Sequence, residues 1–230
     1  LALLLSTLCA AGAALADITV GVSVSATGPA ASLGIPEKNT FALLPQSIAG
    51  EKVKWIVLDD ATDPTAGVKN VRKMISEDKA DVLIAATATP VSMAILEVAF
   101  ETKTAQIAMA PVPPAGEKSA WIFSTPQNFG LMATAIADHM AANGVKTVGF
   151  IGYADPYGEL WLKAMQGAAD AKGIKVTAVE RYQRNDTSVT GQALKIMAAN
   201  PDAVLVAGSG TPAVLPQSTL VERGYKGKFY

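Results

Sequence analysis

The chain has 230 residues, of which half are hydrophobic and 17% are charged, and its formal net charge at pH 7 is −1. This length accommodates one large domain or two smaller lobes. No basic tract or basic patch occurs in the sequence, so it lacks the electrostatic footprint of a nucleic-acid-binding protein.

The first 16 residues form an apolar run rich in alanine and leucine. It ends in Ala14-Leu15-Ala16, a small-x-small pattern that is typical of a signal cleavage site. We therefore predict a secretory signal peptide over residues 1–16, and an exported mature protein. Cys9, the only cysteine, lies inside this run, and Leu8 before it is not the small residue that a lipoprotein signal requires. The mature chain is thus expected to use neither disulfides nor thiol chemistry.

From Asp17 onward, strand patterns alternate with helix patterns. Strands are predicted at 18–24, 53–58, 82–86, 106–110, 147–151, 176–181 and 203–207, and helices at 64–79, 90–103, 129–143, 157–172, 188–199 and 212–223. Alternation of this kind predicts an α/β fold in which helices cover both faces of parallel sheets.

A cluster of proline and glycine at residues 111–116 interrupts the alternation, and turn residues follow at 125–128. Such clusters are typical of linkers. We therefore predict two lobes, residues 17–124 and residues 125–230, with a short strand at 121–123 before the boundary. Residues 227–230 have the pattern of a beginning strand, so we expect the second lobe to be incomplete.

Four predicted helices begin with the same pattern, a capping residue followed by proline. The capping residues are Asp63, Thr89, Asp155 and Thr211, and each follows a predicted strand. Each helix N-terminus is therefore expected at the carboxyl edge of a sheet, where open α/β sheets bind ligands. Since two of these helices belong to each lobe, the two edges facing each other would form a cleft.

The segment Thr87-Ala88-Thr89 connects the buried strand pattern at 82–86 to the next helix. The N–H groups and the positive dipole at the start of that helix favour a carboxylate as ligand. The alternative is an ordinary buried strand followed by a capped helix, with no ligand.

Three acidic residues, Asp59, Asp60 and Asp63, resemble a metal motif. We interpret Asp63 as a helix cap and the other two as acceptors for loop N–H groups, because no partner histidine or second acidic cluster accompanies them. His139, the only histidine, is interpreted as structural, so no metal site is predicted.

The loop Gly208-Ser209-Gly210-Thr211 follows the strand pattern at 203–207. It lacks the third glycine of a dinucleotide fingerprint, the lysine of a P-loop and the flanking glycines of a nucleophile elbow. The sequence also shows no base for Ser209. We predict a loop that lines a ligand site, with no catalytic residue and no cofactor.

Tyr157 falls in the first turn of a helix that Asp155 caps. Its ring could wall a cleft and its hydroxyl could bind a polar ligand, or the side chain could pack in the core. Gly158 next to it lowers helix stability by about 1 kcal/mol relative to alanine, which indicates a close approach of another part of the chain.

Three groups of residues together resemble the solute-binding proteins of branched-chain amino acid ABC transporters, the leucine/isoleucine/valine-binding type. They are Asp59-Asp60 with Asp63-Pro64, then Asp155-Pro156-Tyr157-Gly158, then Pro201-Asp202-Ala203-Val204. The resemblance implies a type I periplasmic binding protein fold with two Rossmann-like lobes and a hinge. It also implies a periplasmic receptor, which closes on its ligand and docks to a permease in the membrane. Because members of that family are longer, we expect this chain to be incomplete at both ends.

The resemblance also implies ligand-binding positions. Leu33 would lie on the cleft wall, the Thr87–Thr89 loop would hold the ligand carboxylate, and the Val112 carbonyl would accept from an ammonium. Tyr157 would be an aromatic wall, and Ser209 falls where another aromatic often stands, while Gly210 and Thr211 belong to the same predicted ligand loop. Pro114 replaces a threonine that helps to bind the amino acid, and the acidic partner of the ammonium is expected beyond Tyr230. An apolar or aromatic carboxylate without an ammonium therefore stands beside a hydrophobic amino acid as the expected ligand.

Two other functions are weighed against a transport receptor. An extracellular ligand sensor on the same fold would feed a regulator instead of a permease. A hydrolytic enzyme is disfavoured, because the sequence shows neither a nucleophile–base pair nor a cofactor fingerprint.

Overall fold

The structure is a computed structural model that describes residues 17–113 and 116–230. The predicted signal peptide and Pro114 lie outside the described residues. Two parallel sheets, each with its helices, form two lobes. The first lobe contains β1 (Ile18–Val24), α1 (Ala31–Phe41), β2 (Ser47–Ile48), β3 (Glu51–Asp59), α2 (Pro64–Ser76), β4 (Val82–Ala85), α3 (Thr89–Thr102), β5 (Ala105–Ala108) and β6 (Ile122–Ser124). The second contains α4 (Phe129–Ala142), β7 (Thr147–Tyr153), α5 (Pro156–Ala171), β8 (Lys175–Tyr182), α6 (Thr190–Ala198), β9 (Ala203–Ala207), α7 (Val214–Glu222) and β10 (Lys228–Phe229).

The order of the strands creates one switch point in each sheet. The first sheet has the order β2-β3-β1-β4-β5-β6 and the second has the order β10-β9-β7-β8. In the described residues every strand pair is parallel except β2 with β3. In the first sheet, β3 lies on one side of β1 and β4 lies on the other side. In the second sheet, β8 and β9 lie on opposite sides of β7 in the same way. The crevices above β1/β4 and above β7/β9 are therefore the places where open α/β sheets bind ligands.

Apolar side chains on both faces of the sheets form the cores. In the first lobe, α2 and α3 cover one face with buried Met74 and Ile95, while Phe41 of α1 packs over part of the other. In the second lobe, α4 and α5 cover one face and α6 and α7 the other, with Met165 and Leu220 fully buried. The prediction of parallel sheets with helices on both faces is confirmed. None of the helices in the described part of the chain has the length and apolarity of a membrane span.

Two of the four predicted helix caps are confirmed. The Asp63 carboxylate accepts from Ala66 N at 2.7 Å, and the Asp155 carboxylate accepts from Tyr157 N and Gly158 N. Each therefore satisfies N–H groups that the helix itself leaves unpaired.

The other two predicted caps are wrong. Thr89 is the first residue of α3, and its hydroxyl donates to the Pro111 carbonyl (3.1 Å) instead of capping the helix. Thr211 is the first residue of a short 3₁₀ turn, and α7 begins only at Val214. This start places Pro216 in the first turn of α7. Proline is tolerated there, because backbone N–H groups in the first turn have no partner within the helix and none is lost.

Helix α1 is missing from the sequence-based prediction. It contains both Gly34 and Pro36, which disfavour helix. A Cβ on Gly34 would lie 2.1 Å from the Ser25 carbonyl oxygen, so α1 reaches its place above β1 only with glycine there. Tertiary packing thus overrides local propensity in this segment.

Candidate ligand-binding cleft

A cavity of about 360 Å³ lies between the lobes, at the carboxyl edges of both sheets. Ligand pockets in proteins are typically about 300–1,000 Å³ and mostly apolar. The residues around this cavity are Leu33, Pro36, Glu37, Thr87, Ala88, Thr89, Met109, Ala110, Pro111, Pro126, Met132, Tyr157 and Ser209. The set combines the loop after β4, the loop after β9, the start of α5 and one face of α1. Both switch points therefore contribute to one space.

Six of the nine predicted ligand-binding residues line this cavity. They are Leu33, Thr87, Ala88, Thr89, Tyr157 and Ser209. Four of them come from the first lobe and two from the second, although up to 176 positions separate them in the chain. Their contact with a ligand stays a prediction.

Val112 lies elsewhere. Its side chain is buried, and its N–H and carbonyl both pair with the Ser124 hydroxyl at 3.0 Å. It borders a second, wider cavity of about 980 Å³ beside α4 and α5. The neighbouring Pro111 lines the cleft between the lobes instead.

Gly210 and Thr211 join the lobes at the rim. The Thr211 N–H donates to the Ser32 hydroxyl of α1 at 3.0 Å. Gly210 has φ +66°, and a Cβ there would lie 2.9 Å from the same hydroxyl oxygen. This contact requires glycine, because other residues are strained at that φ and the side chain would meet Ser32.

The hydroxyls of Thr87 and Thr89 are both engaged within the protein. Thr87 Oγ1 accepts from Ser25 N (2.9 Å) and donates to Glu37 Oε2 (2.5 Å), while Thr89 donates to Pro111. A ligand carboxylate at this loop would therefore meet backbone N–H groups in the first turn of α3, which have no partners within the helix.

Glu37 is a site residue that sequence reasoning missed. It follows Leu33 by one helical turn and borders the cavity beside it. Burial raises the pKa of its carboxyl group, repulsion from Asp60 acts in the same direction, and the hydrogen bond from Thr87 opposes them. No local motif marks Glu37, because it lies on the unpredicted α1 and 50 positions from Thr87.

Asp60 lies behind the cavity wall and is fully buried. Its carboxylate accepts from the hydroxyls of Ser25 (2.6 Å) and Ser23 (2.9 Å) and from Thr62 N (2.9 Å). Burial raises its pKa, against these hydrogen bonds. Asp59 accepts from the N–H groups of Thr27 and Ala61. The interpretation of these carboxylates as acceptors for loop groups is confirmed.

Tyr157 serves both the cleft and the core. Its ring borders the cavity and packs edge-on against Phe129 and Trp161, with centroids 5.7 and 6.5 Å away. Burial raises the pKa of its hydroxyl. A Cβ on Gly158 would lie 1.9 Å from the Tyr153 carbonyl oxygen, which confirms the close approach predicted there. The start of α5 is therefore pressed against the end of β7.

The Ser209 loop is held by Tyr153 and Arg184, neither of which the sequence analysis singled out. The buried Tyr153 hydroxyl donates to the Ser209 carbonyl (2.7 Å) and accepts from its N–H (3.2 Å). The Arg184 guanidinium lies 4.0 Å above the Tyr153 ring and pairs with Asp155, Nε to Oδ2, at 2.6 Å. Asp155 thus caps α5 with one oxygen and anchors Arg184 with the other. This network fixes the second-lobe wall of the cleft.

Comparisons with known proteins agree with this architecture. The sequence matches the periplasmic binding protein family over residues 17–230. It is 26% identical to Leu/Ile/Val-binding protein homolog 3 of Brucella melitensis over 207 residues. The aligned region covers 86% of this chain and 56% of that protein.

Two solved structures extend the comparison. An extracellular ligand-binding receptor from Rhodopseudomonas palustris is 50% identical, with a TM-score of 0.91 over 93% of this chain and 60% of that one. A solute-binding protein of an ABC transporter from R. palustris BisB5, in complex with 3,4-dihydroxybenzoic acid, is 25% identical, with a TM-score of 0.82 over 90% of this chain and 59% of that one. The chain thus spans less than two thirds of the length of each of these relatives. With its two parallel-sheet lobes and its family match from residue 17 to residue 230, the chain belongs to the periplasmic binding protein family.

Proposed function

We propose that this chain is the solute-binding receptor of an ABC importer in the periplasm. It captures a small carboxylate, either a hydrophobic amino acid such as a branched-chain one or an aromatic acid, and delivers it to the permease in the membrane. Residues 17–124 and 125–230 act as the two lobes, and residues 1–16 direct export.

The observation that carries this proposal is the cavity between the lobes. Its walls are mainly apolar, and its polar groups are few: Glu37, the Thr87–Thr89 loop, Tyr157 and Ser209. An apolar body would pack between Leu33 and Tyr157, and a carboxylate would bind at the start of α3. The relatives support this ligand class, since one is named a Leu/Ile/Val-binding protein homolog and another holds 3,4-dihydroxybenzoic acid.

The polar groups around Ser209 fit a protein that binds its ligand without converting it. Its hydrogen-bonding neighbours among the described residues are Tyr153, whose hydroxyl donates its proton to the Ser209 carbonyl, and Arg184, whose guanidinium has only donor groups, so neither is arranged to take the serine proton. We therefore assign the chain no catalytic step and no cofactor.

A calorimetric panel tests the function. The complete gene product is titrated with leucine, isoleucine, valine, phenylalanine, benzoate, 4-hydroxybenzoate and 3,4-dihydroxybenzoate. We expect tight binding of at least one acid and at least tenfold weaker binding of its neutral amide, because charge-assisted hydrogen bonds contribute roughly 1.5–3 kcal/mol each. Binding of no acid, or equal binding of acid and amide, would contradict the proposal. Uptake assays with the cognate permease separate an importer from the alternative, an extracellular sensor.

A further inference from the structure

Glu37 borders the cavity as a carboxylate without a cationic partner. Among the described residues, none of the ion pairs includes Glu37. Its Oε2 accepts from the Thr87 hydroxyl. Its Oε1 has no hydrogen-bond partner among the described residues and is not one of the buried unpaired polar atoms, so it keeps some exposure, and Glu37 lines the cavity.

The hydrogen bonds around Glu37 show which groups of this wall can donate to a ligand and which can accept from it. Ser25 N donates to Thr87 Oγ1, and the single proton of that hydroxyl goes on to Glu37. Thr87 therefore has no hydrogen left for a ligand. What this wall offers the cavity is a carboxylate acceptor.

The charge behind this wall is also negative. Asp60 is fully buried and bonded to hydroxyl and N–H groups, with no lysine or arginine paired to it in the described residues. A ligand anion in contact with Glu37 would be repelled, whereas a hydrogen-bond donor would be attracted, so the favoured orientation has the ligand carboxylate at the first turn of α3 and a donor group at Glu37.

We propose that Glu37 is a specificity-determining residue that accepts a hydrogen bond from a donor group of the ligand, either an ammonium or a hydroxyl. This inference rests on the proposed function, because it assumes that the ligand occupies the cavity between the lobes. Glu37 lies on the same face of α1 as Leu33, four positions earlier, so the donor group and the apolar body of one ligand contact adjacent side chains. The carboxylate of the same ligand is held at the start of α3.

The test uses pairs of acids that differ in one donor group. The complete gene product is titrated with phenylalanine against 3-phenylpropanoate, which lacks the ammonium, and with 4-hydroxybenzoate against benzoate, which lacks the hydroxyl. In wild type we expect one donor-bearing acid to bind at least tenfold more tightly than its partner, and the pair that shows this difference identifies the donor as ammonium or hydroxyl.

Glu37→Gln removes the charge but keeps an oxygen that can accept from Thr87. It should reduce the ammonium preference at least tenfold, or the hydroxyl preference severalfold, without lowering the melting temperature of the unliganded protein. Glu77→Gln, an equal charge change at an exposed position of the same lobe, should leave both preferences unchanged.

The outcomes separate the two proposals. If wild type binds acids but prefers neither donor-bearing acid, or if Glu37→Gln keeps the wild-type preference, the role of Glu37 is refuted and the receptor function stands. If wild type binds neither 3-phenylpropanoate nor any acid of the calorimetric panel, the receptor function fails and the role of Glu37 fails with it.

Discussion

Replacing Gly158 by alanine should destabilise the protein although it removes a glycine from a helix. The new Cβ would lie 1.9 Å from the Tyr153 carbonyl oxygen, about 1 Å closer than real Cβ atoms come. Relief requires α5 to move away from β7, which costs about 1–3 kcal/mol for overpacking and about 1 kcal/mol for the weakened Asp155 cap. The higher helix propensity of alanine offsets about 1 kcal/mol. The free energy of unfolding should therefore fall by about 1–3 kcal/mol.

Gly167 provides the matched control within the same helix. A Cβ there meets no heavy atom within 4 Å, so Gly167→Ala should raise the free energy of unfolding by up to about 1 kcal/mol. Urea denaturation followed by circular dichroism measures both variants, and the melting temperature of Gly158→Ala should drop by roughly 2–12 °C. Equal stabilisation by the two alanines would refute the tight contact between α5 and β7. Ligand affinity should fall in Gly158→Ala alone, since Tyr157 moves with the helix start.

Three further predictions concern single polar groups. Tyr153→Phe removes the donor to the Ser209 carbonyl, so it should lower the free energy of unfolding by about 1–3 kcal/mol and weaken ligand binding. The control is Tyr225→Phe, which removes a donor to the Pro201 carbonyl and should lower stability without weakening ligand binding. Equal losses of affinity in the two variants would contradict this prediction. Tyr157→Phe should change stability by less than about 0.5 kcal/mol in urea denaturation, because its hydroxyl lies 3.5 Å from the nearest carbonyl, and a larger loss would show a stronger bond. Hydrogen bonds from two N–H groups and a hydroxyl lower the pKa of Asp202 below its usual 3.8, so its stabilising effect is present above that pH and is lost as the pH falls through the lowered pKa. The stability difference between wild type and Asp202→Asn should thus be larger at pH 7 than at pH 2, and a constant difference would refute the role of the charge.

Regular hydrophobic periods made most of the fold predictable from the sequence. Strands buried on both faces produce continuous apolar runs, and the helices between them carry apolar stripes. Asp63 and Asp155 were readable as caps because a capping side chain acts on residues two or three positions away. Gly158 was readable because a glycine inside a helix needs a packing reason.

The parts that sequence reasoning missed depend on contacts between distant segments. Helix α1 has no apolar stripe, and Gly34 fits there only because the Ser25 carbonyl lies beside it. Glu37 becomes a site residue only when α1 is placed next to Thr87. Thr89 does not cap its helix, because the Pro111 carbonyl, 22 positions away, takes its hydroxyl. None of these partners can be inferred from local patterns.

The central claim is that a small carboxylate binds between the lobes at the start of α3. A crystal structure of the complete gene product with the acid that binds most tightly in calorimetry tests it directly. We predict ligand density in the 360 Å³ cavity, with the carboxylate at the first turn of α3 and the apolar body between Leu33 and Tyr157. Density in the 980 Å³ cavity beside α4 and α5, or a carboxylate bound to the second lobe alone, would contradict the account.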